Sequence, residues 1–444
     1  MKLCKSITSA IIICALINAA CFAQALLNLT VEECVEIGLK NSRSLHSSAM
    51  NVDFTAAKLK EACAARLPAL KFGGSYTRLS EVDPFTISVP LPPPSPSEFT
   101  ISPSIMDSYN LMLTLQQPIF TGFGLSNASK IAEFNSKASQ SDFNRDKAEL
   151  IYSIKTAYWN LHKAIEYRVV VAENVKMMES HLTDIQNFYD QGMVTNDELL
   201  KVQVQLSNSR LLLLQAEDAV QMSKLNLNNI MGLSLSSKIN LASEIDPDFS
   251  DYDKFKSLVE RAMENRPEIE AMGYRVKAGE AGVKLAKSPF YPQVFLIGNY
   301  YYARPNPRIF PSEDEFEDTW DVGVGVSFDL WNWRKTFHQK DQAQASLYQV
   351  RDALKLLEDA VVLEVTQNHL ALSQAKERIA VARINVSQAE ESHRITLEKF
   401  RNGVATNTAL LDAEVALLTA KINLTNALID FELARASLDK SIGL

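Results

Sequence analysis

Histidine, cysteine and acidic side chains occur along this sequence without the spacing that catalysis or metal binding requires. The six histidines contain no HExxH pair and lie far apart, at His46, His162, His181, His338, His369 and His393. No P-loop and no GxSxG sequence occurs, and Gly323-Val324-Gly325 lacks the third glycine and the following helix of a dinucleotide-binding turn. The acidic run over residues 313–318 is most simply a charged loop tip. The sequence therefore predicts no enzyme, no cofactor and no metal site.

Composition and charge exclude further classes of protein. The chain has 444 residues, with 45 Lys and Arg against 53 Asp and Glu, which gives a formal net charge of −8. Basic side chains form no block, so a nucleic-acid partner held by phosphate contacts is excluded. With only 15 glycines and 16 prolines, the chain is neither collagen-like nor broadly disordered.

The first 23 residues have the pattern of a secretory signal peptide. Lys2 and Lys5 flank an apolar run over residues 11–17, and small residues follow over 19–25. The apolar run is too short to span a membrane as a helix, and no later segment reaches the ~20 consecutive apolar residues that a spanning helix needs. We therefore predict export, with cleavage after Ala23, and any insertion into a membrane must use strands.

Cysteine usage gives two alternatives at the N-terminus and two in the mature chain. Cys21 could be acylated as in a lipoprotein, although Asn18 stands where such a site prefers an aliphatic residue. Cleavage leaves Cys34 and Cys63, which do not make a disulfide framework. We expect two buried thiols on helices, and a single disulfide bridge is the alternative.

The chain contains two copies of one structural unit. One fixed offset superposes Pro68 on Pro292, and a second superposes Gly192 on Gly403. Each copy is predicted to run helix, strand hairpin, long helix, turn, helix. The first copy has a longer, proline-rich loop over residues 82–96, where proline excludes regular strand pairing. The predicted division is a first repeat at 24–233, a linker at 234–251 and a second repeat at 252–444.

Four strands are predicted, and alternating hydrophobicity gives each of them one apolar face. From Trp320 onward every second residue is apolar, while the residues between are small or acidic. The strands span about 69–80, 108–119, 292–303 and 319–331, close to the 9 to 11 residues that a tilted membrane strand needs. Aromatic residues near the strand ends are candidate interfacial anchors, namely Tyr109, Trp320, Trp331 and Trp333. For Trp331 and Trp333, burial within the protein is the alternative.

A lipid-exposed sheet of four strands cannot stand alone. An antiparallel sheet packed on a core would give the same alternation, but the strand length and the predicted export favour a membrane sheet. In hydrocarbon every unpaired backbone group costs several kcal/mol, so the sheet must close without edges. A closed barrel needs at least about eight strands, so two or three copies of the chain must share one sheet.

Two coiled-coil hairpins are predicted, at 126–230 and 335–441. No proline interrupts residues 126–189, which as a helix would span roughly 96 Å. Apolar residues recur every seven positions in the return helix of the first hairpin, at Leu199, Leu206, Leu213, Val220 and Leu227. In the second hairpin small residues follow three positions later, which allows antiparallel helices to approach closely. The long helices must therefore pair as hairpins.

Both hairpins turn on the same pattern, a glycine followed three residues later by a threonine. The first turn is Gly192-Met193-Val194-Thr195 and the second is Gly403-Val404-Ala405-Thr406. Glycine ends one helix in a left-handed conformation, and Thr195 with Glu198 predicts a capping box that starts the next helix. These residues either serve the turn alone or also contact a partner, and the sequence leaves both possibilities open.

Together these features resemble the TolC-like outer membrane efflux protein family. The resemblance extends to Gln117-Pro118-Ile119-Phe120-Thr121-Gly122-Phe123-Gly124, which is similar to the family's Q-P-[LI]-[FL]-x-G-G signature. Phe123 stands where the second glycine is usual. The resemblance implies a mainly α fold with a membrane β-barrel, in which three chains form twelve strands continuous with a periplasmic α-helical tunnel. It implies an outer membrane exit duct served by a periplasmic adaptor and an inner-membrane transporter.

The resemblance also implies where the duct closes and where the adaptor binds. Family members close at the hairpin tips through carboxylate rings, and the matching candidates are Asp412, Glu198 and Asp197. Ala405 and Ala409 depart from the polar residues found there in relatives. The adaptor is expected at the turns 192–195 and 403–406. A periplasmic coiled-coil scaffold or adaptor without a pore is the alternative, and the sequence does not specify a substrate.

Overall fold

The computed structural model describes residues 27–89, 92, 98–243 and 255–444. The predicted signal peptide with Cys4, Cys14 and Cys21 lies outside the described residues, as does the Asp246-Pro247-Asp248 part of the predicted linker. The described elements occur in the same order in both halves of the chain, where two helices precede two strands of a shared sheet and a long helix, a turn and a shorter helix follow.

The bounds of the elements are as follows. The first half contains β1 (Leu27–Leu29), α1 (Val31–Asn41), α2 (Arg43–Ala64), β2 (Ala69–Arg78), β3 (Phe85–Ser88), β4 (Glu98–Ser102), β5 (Asp107–Thr121), α3 (Gly124–Asp190), α4 (Asn196–Ile230) and β6 (Ile239–Leu241). The second half contains α5 (Phe255–Asn265), α6 (Pro267–Ala286), a 3-10 turn (Ser288–Phe290), β7 (Gln293–Arg304), β8 (Glu317–Ser327), α7 (Lys335–Arg401) and α8 (Asn407–Ser441). Both α3 and α7 have 67 residues, so each is roughly 100 Å long.

The chain divides into two compact units. The sheet unit comprises residues Met50–Ser141 and Glu270–Lys355. The helical unit comprises the described residues up to Ala49 together with Asp142–Ile269 and Leu356–Leu444. No helix within the described ranges is both long enough and apolar enough to cross a membrane.

The sheet unit is built on four antiparallel strands in the order β2-β5-β7-β8. The register places Phe72, Leu113, Tyr300 and Trp320 in one row across all four strands, on the same exposed apolar face. β8 ends at Ser327, earlier than the alternation predicts, because Ser327 pairs with Gln293, the first residue of β7. Beyond that point β8 has no partner strand.

A second, two-stranded antiparallel sheet occupies the proline-rich region. β3 pairs with β4, with Phe85 opposite Ser102 and Ser88 opposite Glu98. The prediction that proline excludes regular pairing there was wrong for the flanking residues. In the sequence, the prolines over residues 90–96 fall between these two strands, and apart from Pro92 they lie outside the described residues.

The junction between β5 and α3 explains a departure from the family signature. Gly122 and Phe123 both have positive φ angles, of 59° and 66°. A Cβ atom at Gly122 would collide with the backbone of Ser288, so this position requires glycine. Phe123 accepts the strained conformation and packs edge-on against Phe120 and Tyr291, with ring centroids 5.2 and 5.6 Å away. Aromatic packing offsets the cost of the missing glycine.

The core of the helical unit surrounds Tyr158 of α3. β1 and β6 pair in parallel, and this small sheet involves part of the predicted linker. The Tyr158 hydroxyl donates to the carbonyl of Leu29 at 3.2 Å and accepts from the backbone N–H of Ser243 at 3.1 Å. Its ring is fully buried beside Ile154 and Leu161. One buried side chain thus fixes the start of the described chain and the segment after α4.

Equivalent glycines of the two halves make equivalent contacts. Gly232 follows α4 with a φ of +71° and Gly443 follows α8 with a φ of +78°. A Cβ atom at Gly232 would lie 2.8 Å from the carbonyl oxygen of Asn41, and one at Gly443 would lie 2.9 Å from the Cβ of Asn265. The internal similarity of the sequence therefore records one repeated close approach between helix ends.

The two mature cysteines are free and differ in environment. Cys34 on α1 is buried, whereas Cys63 on α2 is exposed, so the expectation of two buried thiols was wrong for Cys63. They form no bridge with each other. Burial, with the negative charges of Glu33 and Glu32, raises the pKa of the Cys34 thiol to about 12.

We expect a thiol reagent to discriminate completely between these two cysteines. At pH 8 only about one in 10⁴ Cys34 side chains is the reactive thiolate, and burial blocks access as well. Mass spectrometry of the native mature protein should show one label, on Cys63. Cys63→Ser should then take up no label until the chain is unfolded. Two labels on the native wild-type protein would contradict this.

Candidate functional site

The second face of the four-stranded sheet carries a row of polar residues. Lys71, Thr114, Asn299 and Asp321 lie opposite one another on β2, β5, β7 and β8. The Thr114 hydroxyl donates to Asn299 Oδ1 at 2.9 Å, and Asn299 Nδ2 donates to Asp321 Oδ1 at 2.9 Å. The sheet thus has one face suited to hydrocarbon and one suited to water.

The loop between β7 and β8 folds back over this polar face. Arg308 donates to the carboxylate of Asp321 and to the carbonyl of Trp320, and its guanidinium lies 5.0 Å from the ring centre of Tyr301. Asn306 is buried and donates to the carbonyl of Glu317 at 3.0 Å. Since Asp321 lies four residues inside β8, about 13 Å of strand separates it from the strand end. The loop therefore covers the part of the polar face that lies nearest to the connection between β7 and β8.

The predicted interfacial anchors lie on or beside the apolar face. Trp320 on β8 is 70% exposed, and Tyr109 on β5 packs against Tyr76 with ring centroids 4.9 Å apart. Trp331 and Trp333 follow the end of β8 and are 73% and 83% exposed, so packing within this chain does not account for either. Their role as membrane anchors remains a prediction.

The two hairpin turns lie side by side. Gly192 and Gly403 have the same positive φ of 72°, as expected for residues that end a helix. The adjoining helix ends share one buried cluster, formed by Ile185, Leu199, Val202, Phe400 and Leu410. This apolar packing holds the start of α4 next to the start of α8.

The first turn lacks the predicted capping box. The Thr195 side chain makes no cap hydrogen bond, whereas Thr406 in the second turn accepts from the N–H of Ala409 at 3.2 Å. The carboxylate of Glu198 instead accepts from Asn407 Nδ2 at 2.7 Å, across the two turns. Glu198 therefore does not complete a capping box on its own helix and instead joins the two hairpins.

The three candidate aperture carboxylates have different surroundings. Asp197 and Glu198 both pair with Lys201, at 2.7 and 3.3 Å, and these hydrogen bonds raise the pKa of Lys201 above its usual value. Asp412 on α8 is exposed, and the described part of the chain supplies no ion pair for it. Asp412 is therefore the carboxylate whose charge is not compensated locally.

Apolar side chains project from both turns. Met193 is 63% exposed and Val404 is 75% exposed, whereas Val194 and Ala405 pack against the shared cluster. Thr195 and Thr406, which follow them in the sequence, are also exposed. The turns therefore present a small apolar surface that the chain itself does not cover.

A series of ion pairs joins α3 to α8, and no local pattern in the sequence predicts it. Lys163 pairs with Asp430 at 2.9 Å, Glu173 with Lys421 at 3.1 Å, and His181 with Glu414 at 3.0 Å. From one pair to the next, the residue number on α3 rises while the residue number on α8 falls by nearly the same amount. The two helices therefore run antiparallel. Heptad spacing within each helix does not reveal which helices of different hairpins will pair.

Comparison with known proteins shows the family to which this chain belongs. The chain belongs to the outer membrane efflux protein family, whose sequence model matches residues 35–233 and 258–444. It is an outer membrane channel protein with its helical hairpins on the periplasmic side, and the alternative of a pore-free periplasmic scaffold is set aside. The family consists of transport proteins rather than enzymes.

Individual relatives are distant but match along most of their length. The outer membrane efflux protein BepC of Brucella suis is 23% identical over 444 residues, which cover all of this chain and 91% of that protein. The alkaline protease secretion protein AprF of Pseudomonas aeruginosa is 22% identical over 345 residues, which cover 75% of this chain and 69% of that protein. The relatives thus carry names from both efflux and secretion.

Solved structures show the same fold. The outer membrane protein VceC of Vibrio cholerae superposes with a TM-score of 0.77 at 20% identity, covering 93% of this chain and 96% of that chain. The open state of the MtrE outer membrane channel of Neisseria gonorrhoeae superposes with a TM-score of 0.76 at 16% identity, covering 93% and 88%. The TolC-like fold class expected from the sequence is confirmed.

Proposed function

We propose that this protein is the passive exit duct of a tripartite efflux pump or type I secretion system, and that three copies form it. The observation that carries the proposal is the pair of open edges on a membrane-length sheet. β2 and β8 are the outer strands of the four, with 10 and 11 residues. In hydrocarbon these edges must be paired, and three chains would close them as a barrel of about twelve strands.

The polar face of each sheet would line the interior of that barrel. The row from Lys71 to Asp321 offers hydrogen-bonding side chains to water, and the loop anchored by Arg308 narrows the outer opening. Within the described residues no group of His, Cys, Asp and Glu side chains could hold a metal ion. We propose that substrates pass through this interior by diffusion, without a chemical step.

Two further components are implied as partners. A duct without an energy source needs an inner-membrane transporter, and a periplasmic adaptor would dock on the exposed turn residues around Met193 and Val404. The relatives carry names of both efflux and secretion proteins, which supports the general role and leaves the substrate open.

The test is the mass of the mature protein extracted from the outer membrane in detergent, corrected for bound detergent. We expect three chains per particle. A monomer would overturn the proposal, because the two edges would then stay unpaired, and two chains would require an eight-stranded barrel instead.

Replacing Asp412 with asparagine should weaken the cation preference of the duct. Three uncompensated carboxylates near a constriction attract cations and repel anions, and this focusing fades at high salt. We expect the ratio of cation to anion permeability in planar bilayers at 0.1 M salt to fall severalfold. Asp197→Asn, which removes a carboxylate already paired with Lys201, should change the ratio much less. An unchanged ratio in Asp412→Asn would remove this residue from the constriction.

A further inference from the structure

A deeply buried pair of ionisable side chains joins the two hairpins. Of the ion pairs between α3 and α8, those made by Lys163 and Glu173 are partly exposed, whereas the side chains of His181 and Glu414 are 1% and 2% exposed. A surface pair tolerates separation because water replaces its partner. A buried pair does not, since separation leaves an uncompensated charge in protein.

The His181–Glu414 pair fixes the relative position of the hairpins near their tips. His181 precedes Gly192 by eleven residues, and Glu414 follows Gly403 by eleven, so the pair lies about three helical turns from both turns. Because a carboxylate only accepts hydrogen bonds, Nδ1 of His181 carries the proton that joins them at 3.0 Å. The ring of His181 also packs on Phe400 at 5.3 Å. Moving one hairpin past the other would break this contact and leave the buried carboxylate of Glu414 without its partner.

A second histidine lies beside the pair on α7. Nε2 of His393 is buried without a hydrogen-bond partner, and so is Nε2 of His181. The groups that act on His393 are Glu414 and Lys421 of α8 and His181 of α3, and Lys421 is itself paired with Glu173 of α3. Burial is the main cause that lowers the pKa of His393 below its usual 6.5, and it outweighs the attraction of Glu414. His393 is therefore packed as the neutral ring.

We propose that His181, Glu414 and His393 form a pH-sensitive latch that holds the two hairpins of each chain together at neutral pH and releases them in acid. The latch rests on the proposed function, in which the turns surround the periplasmic end of the duct. We take the aperture to widen by separation of the two hairpins, which would move α3 away from α7 and α8 and so break the latch. The latch would thus couple the width of the aperture to periplasmic acidity.

The sign follows from proton binding. In the packed arrangement His393 resists protonation, while in a separated, hydrated arrangement it titrates at its usual 6.5. The separated arrangement therefore binds more protons in acid, and acidification favours it. The packed arrangement keeps its full advantage above pH 6.5 and loses it progressively below. Each further pH unit shifts the balance by up to about tenfold per chain, until the packed state is protonated as well.

Conductance of the full-length protein in planar bilayers tests the latch. Wild type should conduct more at pH 5.5 than at pH 7.5. His393→Gln should match wild type at pH 7.5 and lose the acid response, whereas Glu414→Gln should conduct more than wild type already at pH 7.5. His369→Gln, on the same helix but outside the cluster, should respond to acid as wild type does.

Two results with the variants would overturn the latch. One is an acid response retained in His393→Gln, and the other is a conductance of Glu414→Gln equal to wild type at pH 7.5. A third informative result is a fall in wild-type conductance with acid. That fall would also refute the release proposed for acid.

Amide hydrogen exchange separates failure of the latch from failure of the channel. In detergent-extracted protein, exchange around His181 and Glu414 should accelerate at pH 5.5, after correction for the intrinsic rate, and should not do so in His393→Gln. If the protein shows this change in exchange but does not conduct, the proposed channel function is contradicted and the latch is supported. A conducting trimer whose exchange is the same at both pH values would contradict the latch alone.

Discussion

Val324→Arg is expected to abolish stable assembly in the outer membrane, while Gly323→Arg is tolerated. Val324 is 67% exposed on the apolar face of β8, in register with Leu296. An arginine facing lipid near the bilayer midplane costs roughly 2–4 kcal/mol, and a trimer would contain three of them. The amount of folded protein in the outer membrane fraction, and its resistance to unfolding by heat in detergent, would measure the loss.

Gly323 provides a matched control because it is the neighbouring residue on the opposite face. A Cβ atom there meets nothing within 4 Å, so the polar face has room for a longer side chain. Gly323→Arg should therefore assemble normally and change only the ion selectivity. Equal assembly of both variants would mean that the face carrying Trp320 and Val324 does not contact lipid, and the membrane-sheet interpretation would fail.

The class of fold could be predicted from the sequence because its signals are local. Alternation around Trp320 and the sevenfold spacing from Leu199 each arise within a single element, where sterics and burial set the period. The end of β8 could not be predicted, since apolar alternation continues through Phe328 and Leu330. The strand stops at Ser327 because its partner begins at Gln293, and that fact belongs to the sheet rather than to the strand.

The same limit applies to the candidate site. The repeated turn sequences located Gly192 and Gly403, and the structure places these turns around one buried cluster. The capping box at Thr195 was a sound local expectation, but Asn407 recruits Glu198 from a position far along the chain. The pairing of His181 with Glu414 was likewise invisible, since no local pattern fixes the register of α3 against α8. Contacts between the hairpins are the part of the site that only tertiary structure supplies.

Met193→Asp combined with Val404→Asp is expected to abolish efflux while leaving the duct itself intact. Each side chain is largely exposed at a turn, so the substitutions remove little packing within the chain. If an adaptor buries them, each contributes roughly 1.5–3 kcal/mol, and a charge in an apolar contact adds a desolvation cost. Loss of two such contacts in each of three chains would weaken docking by several orders of magnitude. Cross-linking to the adaptor and export of a fluorescent pump substrate would both report this loss.

The control is Met222→Asp, because Met222 lies on α4 away from the turn and is 65% exposed, close to the 63% of Met193. It introduces the same charge on an equally exposed methionine and should leave cross-linking and efflux unchanged. Bilayer conductance and trimer mass should match wild type in all these variants, because none of the altered residues supports the fold.

Efflux that survives in the double variant would place the adaptor contact elsewhere along the hairpins. Efflux lost together with the trimer would mean that the turns stabilise the duct itself. The combination of an intact trimer and lost cross-linking is therefore the result that assigns the turns to the adaptor.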